Sequence, residues 1–204
     1  MRYLLLQRRR SSLVSRPRWP SDDFNRSDET PLGSPWTGKG GAIAALANLA
    51  NNRVKFENDA GGFALYQHGT ALPSGDAQVA ADVSVAEYGN CGVVGRWDGV
   101  AWSSSTLYVA LAVAQSGGSI QLARVVSGVY TTLGTHSIGG GGTLAGHIAL
   151  RMVGDSIVVV WDDEEVISVT DDTIPATNTG AGFWRYDSVT TDTWLDNWET
   201  EAAT

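Results

Sequence analysis

Apolar residues recur at every second position along most of the chain, and this period of two restricts the fold more than any other feature. In residues 77–85 one phase is apolar throughout: Val79, Ala81, Val83 and Val85. Such alternation is typical of a half-buried β-strand. Similar short segments are predicted as strands at 63–69, 91–97, 105–113, 119–126, 129–134, 148–153, 156–161, 165–170, 181–187 and 193–199.

Turn dipeptides separate these segments, among them Asp98-Gly99, Ser127-Gly128 and Gly154-Asp155. One segment, residues 42–52, is rich in alanine and has helical propensity, but its flanking glycine and asparagine pairs favour a strand. Many short strands without crossover helices predict an all-β antiparallel two-sheet sandwich of the jelly-roll type.

The amino-acid composition excludes several classes of protein. The chain has 204 residues, 43% of them hydrophobic, which indicates a folded domain rather than a disordered chain. No apolar run approaches the ~20 residues that cross a bilayer, so no membrane association is expected. Cys91 is the only cysteine, which excludes an internal disulfide.

The basic residues are concentrated at the start of the chain. Six of the fourteen lie in the first 18 residues and no acid precedes Asp22, so residues 1–21 carry +6 and the other 183 carry −14. We therefore predict an extended N-terminal arm, residues 1–20, followed by the jelly-roll domain, residues 21–204.

Apolar side chains are interleaved with the arginines of this arm, a mixture that suits a protein groove better than a phosphate backbone. The acidic body would be repelled by nucleic acid, so nucleic-acid binding is the weaker alternative. The residues expected to dock the arm on a protein partner are Arg2, Tyr3, Leu5, Arg8, Arg9, Arg10, Arg16, Arg18 and Trp19.

A family resemblance rests on ordered short motifs. These are SDDFNRSD (21–28) with Trp36, VVGRWD (93–98), QLARVVSG (121–128), LRMVGDSI (150–157), GFWR (182–185) and LDNW (195–198). Together they resemble the concanavalin A-like lectin/glucanase (LamG-like) jelly-roll domains of bacteriophage minor tail and other virion structural proteins. The resemblance implies that the first and last strands of the domain are adjacent.

The sequence lacks a catalytic constellation. The glucanase branch uses E-x-D-x-E on one strand, whereas the densest carboxylate run here, residues 162–165, falls in a predicted hairpin turn. His68, His136 and His147 do not have metal-ligand spacing. We expect no enzymatic activity, cofactor or metal. Carboxylates near the joined ends (Asp22, Asp23, Asp196) leave calcium as an alternative to turn capping.

Aromatic residues are the remaining signal, since the chain has eight tryptophans. Trp161 and Trp198 fall on apolar phases and are expected in the core. Exposed aromatics of lectin-like sandwiches stack on sugars, and arginine and aspartate bond their hydroxyls. The carbohydrate-binding candidates are Trp97, Trp102, Tyr108, Trp184, Tyr186, Arg96, Asp98 and Arg185. Burial of these aromatics against a neighbouring subunit and burial in the core of the domain itself are the alternatives.

The resemblance and the charge distribution lead to one functional hypothesis. It is a non-enzymatic structural protein of a tailed bacteriophage virion, with a minor tail protein as the first choice. The arm would fasten the domain to other virion proteins, copies of the chain would form a homo-oligomer, and the domain would bind host surface glycans. A capsid decoration protein of the same build and a secreted carbohydrate-binding module are the alternatives.

Overall fold

The computed structural model describes residues 18–40, 47–56, 62–115, 117–139, 142–187 and 192–203. Apart from Arg18, Trp19 and Pro20, the predicted arm lies outside these residues, as does the first part of segment 42–52. The described elements are β1 (Ser21–Asp22), β2 (Trp36–Gly38), β3 (Ala47–Leu49), β4 (Val54–Phe56), β5 (Gly62–His68), β6 (Ala77–Val85), β7 (Gly89–Trp97), a 3₁₀ turn (Trp102–Ser104), β8 (Leu107–Val113), β9 (Ser119–Val126), β10 (Val129–Ser137), β11 (Leu144–Val153), β12 (Ser156–Trp161), β13 (Glu164–Thr170), β14 (Gly180–Asp187) and β15 (Trp194–Ala202).

The strands form two antiparallel sheets, which confirms the predicted jelly-roll sandwich. Sheet A has the order β13-β12-β11-β6-β15-β4-β3, and β1 also pairs with β15. Sheet B has the order β10-β9-β8-β7-β14-β5-β2. Ser21 lies opposite Glu199 and Asp22 opposite Trp198, so the first and last strands are adjacent, as the resemblance implies.

The main core lies between the sheets and follows from the period of two. In β6 the predicted apolar phase is buried, and Trp161 and Trp198 lie in the same core. Cys91 is also buried there. In the described part of segment 42–52, Ala47–Leu49 is a strand and Asn51 and Asn52 form a turn with positive φ. The preference for a strand over a helix is therefore confirmed for these residues.

Within the described residues, no helix is long and apolar enough to cross a membrane.

Candidate functional site

The outer face of sheet B, which points away from the main core, carries a second cluster of buried apolar side chains. In β8 both phases are buried, because one phase faces sheet A and the other faces outward into this cluster. Its members are Leu65, Val94, Trp97, Leu107, Val109, Leu111, Val113, Ala123, Val125 and Trp184. This cluster is called the apolar floor, because any molecule bound to the outer face of sheet B would lie above it.

The other side chains on this face are uncharged. The strand register places these described residues on the outward phase: Thr37, Gln67, Asn90, Ser119, Gln121, Tyr130, Thr132, Thr135, Ser137 and Tyr186. No aspartate, glutamate, lysine or arginine occurs among the described strand residues of that phase.

The outer face of sheet A differs sharply in charge. Its outward phase includes Asp82, His147, Arg151, Glu165, Asp196, Glu199 and Glu201. The two sheets therefore present opposite kinds of surface to solvent, one ionic and one neutral.

Three aromatic rings meet on the neutral face, and we call them the aromatic cluster: Trp102, Tyr130 and Trp184. The rings of Trp102 and Trp184 are 4.6 Å apart and nearly perpendicular, at 84°. The ring of Tyr130 lies 6.0 Å from that of Trp184. Trp184 is only 6% exposed and supports the other two, since Trp102 is half-buried and Tyr130 is 37% exposed.

A tight turn brings Tyr130 to this position. The β9–β10 hairpin turns at Ser127 and Gly128, both with positive φ. A side chain at Gly128 would overlap the backbone carbonyl of Ser103, so the hairpin tip packs directly on the 3₁₀ turn that carries Trp102. The predicted turn dipeptide thus has a second function in assembling the aromatic cluster.

The hydroxyl of Tyr130 is kept in its neutral form. Burial raises the pKa of Tyr130, and a hydrogen bond from Thr132 offsets part of this rise. A neutral phenol both donates and accepts hydrogen bonds, which suits contact with a hydroxylated ligand.

Five of the predicted binding residues are buried, including Trp184 of the aromatic cluster, and the expectation that they lie on the surface is wrong. Trp97 is 1% exposed and its Nε1 donates to the Val100 carbonyl at 3.2 Å. Tyr108 faces the main core, where its hydroxyl donates to Asp171 at 2.7 Å. Burial first, and this hydrogen bond second, raise the pKa of Tyr108.

The two arginines among the candidates are also buried. Arg96 and Arg185 are each 1% exposed. Arg96 donates to backbone carbonyls of neighbouring loops, and the guanidinium of Arg185 lies 5.2 Å from the ring centre of Phe56. Both guanidinium groups act inside the fold rather than at its surface.

The remaining candidates are distributed over the neutral face and its border. Trp102 and Trp184 meet in the aromatic cluster, and Tyr186, two residues beyond Trp184 on β14, is 42% exposed. Asp98 is exposed in the adjoining loop, where it accepts a hydrogen bond from the Val100 amide. Sequence analysis missed Tyr130, although its position just after a hairpin dipeptide was the available signal.

The carboxylates near the joined ends perform capping roles. Asp22, Asp23 and Asn197 line one polar cleft of about 360 Å³. Asp22 accepts the Phe24 amide at 2.8 Å and Asp23 accepts the Asn25 amide at 3.1 Å. In the described part of the chain, no group of three or more histidine, cysteine, aspartate or glutamate side chains is arranged to hold a metal ion.

Comparisons with known proteins define the class of fold. No protein-family model and no curated protein matches the sequence. The structure is similar to carbohydrate-binding module CBM66 from Bacillus subtilis (18% identity, 82% of this chain and 95% of that chain, TM-score 0.60). It is also similar to the metal-free carbohydrate recognition domain of Emp46p (8% identity, 92% of this chain and 100% of that chain, TM-score 0.65).

A third similar structure is the CBM2 module of the evolved Dit of Lactobacillus casei BL23 phage J-1 (10% identity, 91% of this chain and 97% of that chain, TM-score 0.56). A glycosidic hydrolase is among the similar structures as well. The chain therefore has the concanavalin A-like jelly-roll fold of carbohydrate-binding modules and legume-lectin-like domains.

Proposed function

We propose that this protein is a carbohydrate-binding module and that it binds a glycan on the outer face of sheet B, at the aromatic cluster. The observation that carries the proposal is the pair of partly exposed rings, Trp102 and Tyr130, held by the buried Trp184 beside uncharged polar groups. Flat aromatic rings pack on the apolar C–H face of a sugar, while amides and hydroxyls bond its hydroxyl groups. The carbohydrate-binding modules of the same fold support the proposal.

We propose binding without hydrolysis. Glycoside hydrolysis commonly requires two carboxyl groups on either side of the scissile bond. The described strand residues of the neutral face carry no carboxylate, and Asp98 lies in the adjoining loop. Incubation with each bound polysaccharide should release no new reducing ends. Release by the purified protein would contradict this part of the proposal, and loss of that release in Asp98→Asn would assign the hydrolysis to Asp98.

Replacement of Trp102 tests the site. Trp102→Ala removes one stacking ring, and we expect binding to weaken about tenfold, since a loss of 1.4 kcal/mol is a factor of ten. Retardation in native gels that contain a polysaccharide, followed by calorimetry with the retarding polymer, measures the change. The matched control is Trp194→Ala, because Trp194 is a partly exposed tryptophan on sheet A whose ring stacks with Arg53 at 4.3 Å.

The same variants separate sugar binding from subunit contact. If the aromatic cluster instead joins two copies of the chain, Trp102→Ala will change the mass measured by light scattering and leave gel retardation unaltered. Equal retardation of Trp102→Ala and Trp194→Ala would contradict the proposed site.

We further propose that the module belongs to a bacteriophage virion, as a minor tail protein attached through residues 1–20. The charge split between arm and body, the sequence resemblance and the similar module of a phage Dit support this assignment. A capsid decoration protein of the same build is the alternative on a particle, and a secreted module is the alternative outside one.

Deletion of the arm tests the attachment. Trp19, predicted to dock the arm on a partner, packs instead against the main core of its own domain, and the Pro20 carbonyl accepts the Thr200 hydroxyl at 2.6 Å. The deletion should therefore end at residue 17. We expect a folded domain that is missing from purified particles. A milder variant with Arg8→Gln, Arg9→Gln and Arg10→Gln should reduce incorporation in the same direction. Full incorporation of both variants would contradict attachment through the arm.

A further inference from the structure

We infer that the glycan bound at the aromatic cluster is uncharged, an inference that rests on the proposed function and specifies its ligand class. The neutral face offers hydroxyls, amides and aromatic rings but no charged side chain among its described strand residues. Recognition of a uronic acid, sialic acid or phosphorylated sugar normally uses a cationic partner, above all arginine.

The arginines closest in sequence to the aromatic cluster form contacts elsewhere. Arg124, six residues before Tyr130, lies on the inward phase of β9 and pairs with Asp171 at 2.5 Å. Arg185 is next to Trp184 in β14 but points to the opposite side of the sheet, where it lies by Phe56. Arg96 is next to Trp97, and its guanidinium bonds the carbonyls of Gly75, Gly154 and Ile174. None of these guanidinium groups is available to an anion on the outer face.

The border of the face adds no net positive charge. Lys39 lies beside the aromatic cluster, since its carbonyl accepts the Trp102 amide at 3.1 Å. The exposed carboxylate of Asp98 follows Trp97 at the same end of the sheet. Among the described residues at this end of the sheet, this cation and this anion offset each other, in a chain of net charge −8.

The apolar floor makes an unpaired charge costly. Leu107, Val109 and Val125 belong to the outward apolar cluster and are fully buried. A carboxylate or phosphate placed above them loses water without gaining a counter-charge. Neutral sugars lose only hydroxyl hydration, which the amides and hydroxyls of the face replace.

The experiment compares each neutral polysaccharide with its own charged derivative. β-1,4-Mannan, β-1,4-galactan and amylose, whose sugars keep free primary hydroxyls, are tested first by gel retardation, together with polygalacturonate, alginate and teichoic acid. The neutral polymer that binds is then oxidised at its primary hydroxyls to carboxylates, which changes charge while keeping the backbone. We expect binding of the oxidised polymer to weaken about tenfold or more at low salt, where repulsion is least screened.

A charge-insertion variant provides the matched control. Thr132 is exposed on the outward phase beside Tyr130, so Thr132→Lys adds one cation to the face. We expect this variant to bind the oxidised polymer about fivefold better than the unaltered protein, the effect of one ion pair at contact distance in water. Thr170→Lys, an exposed position at the end of β13 in sheet A, makes the same substitution and the same +1 change in net charge, and should not do so.

The outcomes separate the two hypotheses. Tightest binding to an acidic polymer, abolished by Trp102→Ala, would overturn the neutral-ligand inference and leave the proposed site intact. Binding that does not depend on Trp102, or none, would overturn the site and the inference together. Trp102-dependent binding of neutral polymers, with loss on oxidation, is the result that supports both.

Discussion

Arg96 shows how a single residue joins several loops of this domain. It has a positive φ of 45° near the end of β7, and its guanidinium is buried. It donates to the carbonyls of Gly75 at 3.1 Å, Ile174 at 3.2 Å and Gly154 at 2.7 Å, and to the Asp76 carboxylate at 2.8 Å. Three loops at one end of the sandwich therefore depend on one side chain.

Arg96→Met tests this dependence. Methionine fills much of the volume but leaves buried carbonyls without a donor, so we expect the free energy of unfolding to fall by about 3 kcal/mol. Urea denaturation measures the loss. Arg151→Met is the matched control, because Arg151 pairs with Glu165 on the exposed face of sheet A and should contribute less than about 1 kcal/mol. Equal losses in the two variants would contradict the assigned role.

At the scale of elements, β15 and β6 pair with two carboxylates directly opposite, Asp196 and Asp82. A bulge follows at Asn197, whose φ is 48°, and the Asn197 amide donates to Asp82 at 2.8 Å. Burial is the main cause that raises the pKa of Asp196. Asp82 and Asp23 add to this rise in the pKa of Asp196, while the backbone N–H of Asn197, which donates to Asp196 at 2.8 Å, and Arg53 oppose it. The charged form of Asp196 is therefore unfavourable in the folded state.

The direction of this pKa shift predicts that Asp196→Asn changes the stability of the domain in a pH-dependent way. Since the folded pKa lies above the unfolded one, the favourable contribution of the carboxyl is complete at low pH and is lost as pH rises through the folded pKa. Asparagine should raise the free energy of unfolding by about 0.5 kcal/mol at pH 7, the typical cost of two like charges directly opposite on paired strands. At pH 3, where the Asp196 carboxyl is protonated, it should give no gain. Urea denaturation at both pH values checks this.

Asp192→Asn is the control for that experiment. Asp192 is 79% exposed and pairs with Lys55 at 3.4 Å, so its replacement should give no gain at pH 7. A loss of stability in Asp196→Asn at pH 7 would mean that the contact with Arg53, 4.0 Å away, outweighs the repulsion.

The elements also show where sequence analysis succeeds and where it fails. Period-two alternation predicts β6 and its buried side, because one phase of that strand is apolar throughout and the other contains polar residues. In β8 both phases are buried, so the alternation of Leu107 with Tyr108 does not reveal which side chain faces sheet A. Tyr108 was therefore assigned to the surface. The aromatic cluster depends on a contact between two turns distant in sequence, which local patterns do not encode.

At the scale of the whole molecule, two indole groups connect the sheets near the joined chain ends. Trp36, in sheet B, donates through Nε1 to the Asp22 carboxylate of sheet A at 2.7 Å. Trp198, in sheet A, donates to the Gly182 carbonyl of sheet B at 3.2 Å. The two rings also contact each other edge to face, 4.9 Å apart. Two hydrogen bonds from indole groups therefore join the sheets where the first and last strands are adjacent, in addition to the apolar packing between them.

Asp22→Ala tests this connection between the sheets. The Asp22 side chain is 8% exposed and also accepts Arg26 at 2.7 Å and the Phe24 amide at 2.8 Å. Alanine leaves the indole, guanidinium and amide donors without this acceptor, so we expect the free energy of unfolding to fall by about 3 kcal/mol. Asp23→Ala, one residue along, removes an exposed bond to the Asn25 amide together with a repulsion of Asp196, and should lower the free energy of unfolding by less than about 1 kcal/mol. Because the lost bond joins the sheets, tryptophan fluorescence and far-UV circular dichroism should shift to the same lower urea midpoint. Similar losses in the two variants, or separate midpoints for the two probes, would contradict the idea that Asp22 couples the sheets.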